Sequence, residues 1–373
     1  MIPVIKNTTP FVMQAYEKWD NKGNEFDVIV LRGTFDMLPN ETMLALAEQT
    51  PINFGDEHSV PINGDVFYSQ LEREGDLILG KRSTDVCIKG ISYCPKDAAG
   101  YSLPSWDASV QIGDHQKTLI ITGPRSFIKD GDRWSISDPE PVTAVVLDYR
   151  HAFGGHVPVD AQHELQDRYV AYPFNPIGQG WLPTDDELSH YSAKEQSAIK
   201  SWRDSQIKIA APQIMDQQKQ VFDPYDRLPP AGVSPIARWW QPRRGLQGTL
   251  DQAWLKQRHP YPPDDFDERF YQCANPDLIT QSYLQGAEHV RLSNVGWITD
   301  YHGRLPGISM HGLAKMEGGK QHLLPMVLDT LRIDTSVQKT VLLWRLALLK
   351  SRLVKSITLM GYSQKIDSAV QKG

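Results

Sequence analysis

Apolar side chains recur in short runs along about the first 150 residues, and turn-forming residues separate these runs at fairly even spacing. The run 26–31 is rich in β-branched residues, and the run 106–112 is apolar at every second position. An alternation with a period of two predicts β-strands that bury one face. Gly113-Asp114 and Asp130-Gly131 supply the backbone angles of tight turns, so we predict a hairpin around each of them.

The pattern changes between about residues 153 and 284, where prolines, glycines and aromatic residues crowd together and the alternation fades. The segment 184–187 (Thr-Asp-Asp-Glu) has the form of a capping box, which predicts a helix from there to about Trp202. The segment 249–252 (Thr-Leu-Asp-Gln) predicts a second helix start, and Pro260 ends that helix. Irregular structure with short helices is therefore expected in this region.

Strand patterns return after Glu288. The clearest pair is 326–333 and 339–346, and the residues between them begin with the turn-forming Asp334-Thr335-Ser336, so we predict another hairpin. Residues 342–353 also fit an amphipathic helix, because short apolar runs do not distinguish the two periods. We favour the strand.

These patterns together predict a mainly β fold of antiparallel sheets in a sandwich-like arrangement, with a few short helices and a long irregular middle; an α+β fold is the alternative. We treat 1–373 as a single domain in which residues 1–152 are strand-rich, residues 153–284 are irregular and helical, and residues 285–373 are again strand-rich. No repeat, low-complexity tract or flexible linker marks a boundary. The two strand-rich regions are expected to share one sheet system, with the middle packed outside it.

The composition narrows the classes of partner. Hydrophobic residues make up 40% of the 373 residues and charged residues 23%, which is typical of a globular protein. Acidic residues outnumber basic ones by 45 to 39, so no overall positive field attracts nucleic acid or anionic lipid. The three cysteines show no CxxC spacing, which indicates a reducing cytoplasm and no disulfide framework.

The chain start lacks the pattern of a secretory signal, so we expect no export by the general route. The apolar run 341–349 contains Arg345 and is far shorter than the roughly 20 residues that span a bilayer. We therefore expect neither a transmembrane helix nor membrane insertion.

Three histidines lie close together in the sequence with two acidic residues: His151, His156 and His163, near Asp160 and Glu164. Imidazole and carboxylate groups are common metal ligands, so a metal-assisted hydrolase is one hypothesis. The spacing differs from that of a helical HExxH site. We favour a glycine-rich surface segment that holds no metal.

Two further clusters allow a functional and a structural interpretation. Residues 264–268 (Asp-Asp-Phe-Asp-Glu) resemble calcium or acid/base sites but lack the glycine and distal glutamate of an EF-hand loop, so we favour an acidic turn before a helical segment. Residues 238–244 combine arginines with tryptophans, as single-stranded nucleic-acid sites do. We favour a structural anchor, with arginines paired to carboxylates such as Asp223, Asp226 or Asp251.

Sequence motifs of covalent or nucleotide-dependent enzymes are missing. The chain has no Gly-x-Ser-x-Gly elbow, no GxGxxG and no phosphate-binding Walker loop, and no cysteine lies in the sequence context of a nucleophile. We assign no catalytic, cofactor-binding or metal-binding residue and expect a protein that is not an enzyme.

Eight short motifs occur in an order that spans nearly the whole chain. They are Asn7-Thr8-Thr9-Pro10-Phe11, Arg32-Gly33-Thr34-Phe35, Ala152-Phe153-Gly154-Gly155, Asn175-Pro176-Ile177-Gly178-Gln179-Gly180, Trp240-Gln241-Pro242-Arg243, Gly248-Thr249-Leu250-Asp251-Gln252-Ala253-Trp254, Asp265-Phe266-Asp267 and Leu328-Asp329-Thr330-Leu331-Arg332-Ile333-Asp334. In this set the chain resembles a family of type VI secretion effector adaptors, or chaperones, first known as a domain of unknown function.

The resemblance implies a cytoplasmic bacterial protein whose partners are a cognate effector and a PAAR or VgrG spike protein. Such an adaptor stabilises its effector and promotes loading on the spike. The residues that bind the partner stay unassigned. An alternative is a structural component of the spike that is fired with the effector.

The chain departs from the family pattern at two places. Tyr149-Arg150-His151 stands where many members carry Tyr-Glu-Arg, and Arg32 stands where lysine is frequent. The glycine-containing motifs resemble turns that bury an aromatic residue, so we expect them to determine the fold rather than to bind the partner.

Overall fold

The computed structural model describes residues 2–61, 64–159, 169–350 and 353–363. The N-terminal strands are β1 (Val4–Asn7), β2 (Val12–Trp19), β3 (Glu25–Asp36), β4 (Leu44–Ala45), β5 (Glu57–His58), β6 (Leu71–Arg73), β7 (Asp85–Lys89), β8 (Ile91–Tyr93), β9 (Ser105–Ile112), β10 (His115–Thr122), β11 (Arg125–Asp130), β12 (Arg133–Ile136) and β13 (Ala144–Val146). The middle elements are β14 (Phe153–Gly154), β15 (His156–Pro158), β16 (Tyr169–Ala171), β17 (Gln179–Gly180), α1 (Ala193–Ser205), β18 (Lys208–Ala211), β19 (Ile214–Asp216) and α2 (Gln252–Gln257). The C-terminal strands are β20 (His289–Ser293), β21 (Asp300–Arg304), β22 (Ile308–Met316), β23 (Gln321–Pro325), β24 (Val327–Asp334), β25 (Lys339–Leu349) and β26 (Val354–Ser363).

A six-stranded sheet joins the two ends of the chain, and we call it the central sheet. Its order is β2-β3-β25-β24-β7, with the short β4 paired to β3. Strand β24 runs parallel to β7, and the other pairs are antiparallel. Residues 28–31 near the start of β3 are apolar and mostly β-branched. They are buried on both faces of the sheet, as a strand inside a packed sheet requires. The expectation that both strand-rich ends share a sheet is confirmed.

The other large sheets also mix distant regions of the sequence. Their orders are β1-β26-β22-β23, β19-β10-β9-β20-β21 and β12-β11-β18. One core cluster includes Leu31 of the central sheet, Val110 of β9 and Leu359 of β26, so three sheets pack on a common interior. A second cluster forms around Phe153, Tyr172 and other aromatic side chains of the middle region. The prediction of a mainly β protein with antiparallel sheets is confirmed.

The predicted hairpins are present. β9 and β10 pair around Gly113-Asp114, β11 and β12 pair around the turn at Gly131, and β24 and β25 form the late hairpin. The helical interpretation of 342–353 is wrong as far as Leu349, because β25 hydrogen-bonds to β24 on one side and β3 on the other. Two strand partners satisfy backbone groups that a helix would satisfy within itself.

Both helix starts differ from the predictions. Thr184 and Glu187 do make the reciprocal capping bonds, but they open only a short 3-10 turn. Helix α1 starts at Ala193, nine residues after Thr184. A second capping box, which Ser192 forms with Glu195, precedes it. For α2 the capping residue is Asp251 instead of Thr249, and the helix ends at Gln257, before Pro260 as predicted.

Among the described residues no helix has both the length and the apolar character needed to cross a membrane.

Candidate functional site

The central sheet packs one face on the main core and carries three mostly buried arginines on the other face, beside a small apolar cluster around Val30 and Leu343. Leu31 of β3 and Leu342 of β25 lie in the main core. Successive strand residues point to opposite faces, so Arg32 lies on the other side of the sheet. Arg332 of β24 and Arg345 of β25 lie on that same side by register. We call this side the polar face.

Two arginines of the polar face share one buried carboxylate. Arg32 Nη1 lies 2.8 Å from Asp76 Oδ2, and Arg332 Nη1 lies 2.9 Å from Asp76 Oδ1. The backbone N–H of Asn53 also donates to Oδ2, at 2.9 Å. Burial alone would raise the pKa of Asp76, but Arg332 and Arg32 outweigh it and lower that pKa. One negative charge therefore faces two positive charges here.

The third arginine of this face has its own partner. Arg345 Nε lies 2.6 Å from Asp329 Oδ2, and both side chains are almost completely buried. Arg345 also donates to the carbonyl oxygens of Asp76 and Ile78 and to the hydroxyl of Tyr16. The guanidinium thus fixes the segment around Asp76 against the sheet.

A second group of buried charges lies beside the first. Lys81 Nζ lies 2.6 Å from Asp85 Oδ2 and 3.3 Å from Glu74 Oε2, and Arg243 also pairs with Glu74. Burial alone would raise the pKa of Glu74, but Arg243 and Lys81 outweigh it and lower that pKa to about 2. Glu74 is therefore a carboxylate at neutral pH and holds two cations in the interior.

The described residues contain one compact group of potential metal ligands: Glu74, Asp85 and Cys273, whose ligand atoms lie within 4.8 Å of one another. The ammonium of Lys81 contacts all three, at 3.3, 2.6 and 3.8 Å. Its positive charge takes the place that a metal ion would need. We assign no metal to this group.

Cys273 is not poised to act as a nucleophile. Its Sγ lies 3.8 Å from Cys87 Sγ, and both residues are free and buried. The hydrogen bond with Cys87 and burial together raise the pKa of Cys273 well above the ordinary value. A thiol with a raised pKa stays protonated and reacts slowly.

A cavity of about 540 Å³ opens on the polar face, between the central sheet and the segments around residues 70–73, 146–150 and 234–235. We call it the basic cavity. Its lining includes six basic side chains, Arg32, Arg73, Lys89, Arg150, Arg332 and Lys339, and three acidic ones, Glu72, Asp148 and Asp334. The chain as a whole carries a charge of -6, so this positive lining stands out from the rest of the protein.

Ion pairs neutralise some of the lining. Lys89 Nζ lies 2.6 Å from Glu72 Oε2, and Arg150 Nε lies 2.9 Å from Asp148 Oδ2. Lys339 has no ion-pair partner among the described residues. Arg73 pairs with Glu57, which lies outside the lining. The cavity thus keeps a small excess of positive charge, at Lys339 and on the arginines that share Asp76.

A second concavity, of about 570 Å³, is partly aromatic. Phe54, Trp239, Phe270 and Tyr271 line it, and the side chain of Phe54 is 69% exposed. It shares Glu74 and Arg243 with the ion-pair group described above.

The sequence-predicted histidines are engaged in structural contacts. His151 Nδ1 lies 3.1 Å from Gln213 Oε1, and His156 Nδ1 lies 2.7 Å from the carbonyl oxygen of Pro176. The ring of His156 packs against the rings of Tyr68 and Tyr169. The other members of that hypothesis, His163, Asp160 and Glu164, lie outside the described residues.

The acidic run 264–268 organises local backbone. Asp265 accepts hydrogen bonds from the N–H and hydroxyl of Thr249, at 2.9 and 2.7 Å. Asp267 caps the 3-10 helix Glu268–Tyr271 and pairs with Arg269. These roles agree with the interpretation as an acidic turn before a helical segment.

The arginine and tryptophan segment 238–244 is anchored in the structure, but its partners differ from those predicted. Arg238 pairs with Asp56, and the buried Arg243 pairs with Glu74. Trp240 is fully buried and donates from Nε1 to the carbonyl oxygen of Phe67 at 2.9 Å. The predicted partners Asp223, Asp226 and Asp251 instead accept hydrogen bonds from nearby backbone N–H groups.

Two of the motifs pack directly on each other. The buried Asn175 donates to the carbonyl oxygens of Tyr149 and Phe153 at 2.8 and 3.0 Å. Gly154 has a φ of +149°, and a Cβ there would lie 2.2 Å from the carbonyl oxygen of Asn175. The glycines of this pair of motifs therefore permit a close backbone approach, as expected. Gly33 differs, because it lies inside strand β3 rather than in a turn.

Sequence reasoning missed the basic cavity and the buried carboxylates beneath it. Asp76 and Glu74 lie in a short segment without a recognised motif. The available signal was an arginine in each of two distant motifs, Arg32 in the second and Arg332 in the last. Nothing in their local sequence indicates that both meet Asp76.

Comparison with known proteins places the chain in a bacterial family. A family model described as an uncharacterized protein conserved in bacteria, DUF2169, matches residues 22–345. No curated protein and no solved structure matches the chain. The matched range includes Arg32, Asp76 and Arg332, and it ends at Arg345.

Proposed function

The chain belongs to the DUF2169 family of proteins conserved in bacteria, and we propose that it is a cytoplasmic adaptor that holds a type VI secretion effector and promotes its loading on the spike. Its partners would be the effector together with a PAAR or VgrG protein. The observation that carries the proposal is the order of the eight motifs along nearly the whole chain.

The geometry supports binding rather than catalysis. The buried carboxylates Glu74, Asp76 and Asp329 are each paired with an arginine, so their charges are engaged within the fold. The basic cavity combines charged and apolar side chains in a concave surface, which is typical of a recognition site. The proposal therefore treats the protein as a binding partner and assigns it no reaction.

The direct test is co-expression with the neighbouring effector or PAAR gene. We expect the two proteins to copurify as a stable complex and the effector to be more soluble than when it is expressed alone. The adaptor function is rejected when the partners neither copurify nor change each other's solubility.

A secretion assay separates the adaptor from a fired spike component. Culture supernatants of an actively secreting strain would be probed for this chain and for the effector. We expect the effector in the supernatant and this chain in the cell fraction. Both proteins in the supernatant would favour the spike component.

A further inference from the structure

We propose that the basic cavity binds a carboxylate of an acidic, partly apolar peptide segment of the partner protein, with Arg32 as the group that receives the carboxylate. This inference rests on the proposed function, because the adaptor needs a surface that recognises its partner. It adds the location of that surface and the chemistry of the segment.

The basic cavity carries more basic than acidic groups. Six basic side chains line it against three acidic ones. The pairs Lys89–Glu72 and Arg150–Asp148 use two of those acids, Arg73 pairs with Glu57 outside the lining, and Asp76 is shared by two arginines. The excess of positive charge is therefore small and lies at Lys339 and at the pair of arginines that share Asp76. The remaining positive charge attracts an anion, and the low-dielectric walls strengthen that attraction.

Arg32 presents one N–H donor group of its guanidinium that no protein acceptor uses among the described residues. The side chain of Arg32 is only 3% exposed, and it lines the cavity. Its Nε donates to Thr50 Oγ1 at 3.0 Å and its Nη1 to Asp76 at 2.8 Å. Its Nη2 has no acceptor within the portion of the chain that the structure describes. A guanidinium N–H in the cavity wall without a protein acceptor can donate a charge-assisted hydrogen bond to a carboxylate oxygen of a ligand.

Part of the cavity lining is apolar. Val146 and Val337 are 40% and 57% exposed, and Val341 is half-buried. A small inorganic anion would leave these side chains unused. A carboxylate on a chain with apolar side groups uses both kinds of surface, and the cavity volume of about 540 Å³ lies in the range of ligand sites.

The test measures binding of defined probes to the purified full-length protein. The first probe is a fluorescein-labelled pool of capped hexapeptides with two fixed glutamates and mixed apolar residues, and the second is the same pool with glutamines. Glutarate serves as a free small carboxylate. We expect the glutamate pool to bind at least about tenfold more tightly than the glutamine pool, and more weakly at high salt.

Two outcomes overturn the inference. Equal binding of both pools, or no binding of the glutamate pool, would show that the cavity does not recognise a carboxylate. Glutarate binding as tight as that of the glutamate pool would assign the cavity to a free small molecule instead of a peptide.

Substitutions in the protein test whether the glutamate pool binds in the basic cavity. Lys339→Gln should weaken binding of the glutamate pool about fivefold or more, because this unpaired lysine lines the cavity. Lys320→Gln is the matched control, since Lys320 is exposed in the turn between β22 and β23 and outside the cavity. Arg32→Lys keeps the positive charge but removes the planar guanidinium group with its paired N–H donors. It should therefore weaken binding of the glutamate pool more than Lys339→Gln does. Equal affinities of Lys339→Gln, Lys320→Gln and the unmodified protein would contradict the assignment.

The co-expression test distinguishes the two proposals. When the complex forms and Lys339→Gln leaves it as stable as the unmodified complex, the cavity inference fails and the adaptor function stands. When the glutamate pool binds in the cavity but no effector complex forms, the adaptor function fails and the cavity assignment stands.

Discussion

Several charged side chains of this protein lie in the interior within hydrogen-bond distance of an opposite charge. Asp76, Glu74 and Asp329 are each no more than 1% exposed. Removing a charge from water is costly, and the attraction of a close partner recovers that cost only while both members are present. Each of these residues therefore depends strongly on its partner.

The Arg345–Asp329 pair gives a direct test of this dependence. Asp329→Asn should lower the free energy of unfolding by about 3–5 kcal/mol, because it leaves Arg345 buried without its counterion. The control is Asp300→Asn, which removes an exposed pair with Arg291 and should cost no more than about 1 kcal/mol. Urea denaturation of both variants measures the difference, and similar losses would contradict the prediction.

Stability should fall on acidification because of Glu74. Its pKa is about 2 in the folded protein against an ordinary value of 4.5. A lowered pKa means that its stabilisation is complete above about pH 4.5 and is lost as the pH falls towards about 2. The lowered pKa of Asp76 acts in the same direction.

Denaturation curves between pH 7 and pH 2 measure this effect. Glu74→Gln should be less stable at pH 7 and should lose less stability on acidification than the unmodified protein. Parallel losses in both proteins would show that Glu74 does not contribute to the pH dependence.

The short elements of the middle region depend on close backbone packing. β14 pairs with β17 in parallel, and this pairing places Gly154 against the loop that contains Asn175. The buried amide of Asn175 then binds two carbonyl oxygens across the junction. Two motifs about twenty residues apart thus act as one structural unit.

Gly154→Ala tests that unit. We expect a loss of at least about 2 kcal/mol in the free energy of unfolding, because the added Cβ meets the carbonyl oxygen of Asn175 and the positive φ is unfavourable. Gly318→Ala is the matched control, since a Cβ there meets open space and its φ lies outside the left-handed region that disfavours other residues. Thermal unfolding of the two variants compares them, and equal melting temperatures would contradict the role of Gly154.

The sequence predicted elements better than element boundaries. Strands with alternating side chains, such as β9 and β10, were predictable because their pattern reflects one buried face. Thr184 and Glu187 form the predicted capping bonds, yet the helix starts only behind Ser192. Capping chemistry stabilises a start but does not decide how far a helix extends.

On the scale of the whole molecule, the central sheet combines the first and last regions of the chain. The arginines of its polar face come from β3, β24 and β25, and Asp76, which pairs with Arg32 and Arg332, comes from a separate segment. The basic cavity exists only because these regions meet. Local patterns contain no information on such distant contacts, so neither the cavity nor its ion pairs could be predicted from them.

Hydrogen exchange should reveal the order of stability within the sheets. Amides of β25 should exchange slowest, because this strand has partners on both sides and buries Leu342 and Trp344. Amides of β23 should exchange much faster, since it is an edge strand with mostly exposed residues. Mass spectrometry of peptic peptides measures both strands, and equal protection would contradict this order.

The pairing of β3 with β25 also bears on how the protein is made. During synthesis β3 leaves the ribosome early, while β25 emerges only after most of the chain has been translated. Until then β3 can pair with β2 but has one edge without its partner β25, and such open strand edges promote aggregation. The nascent chain therefore has a long interval in which its first strands need shielding before the native sheet can close.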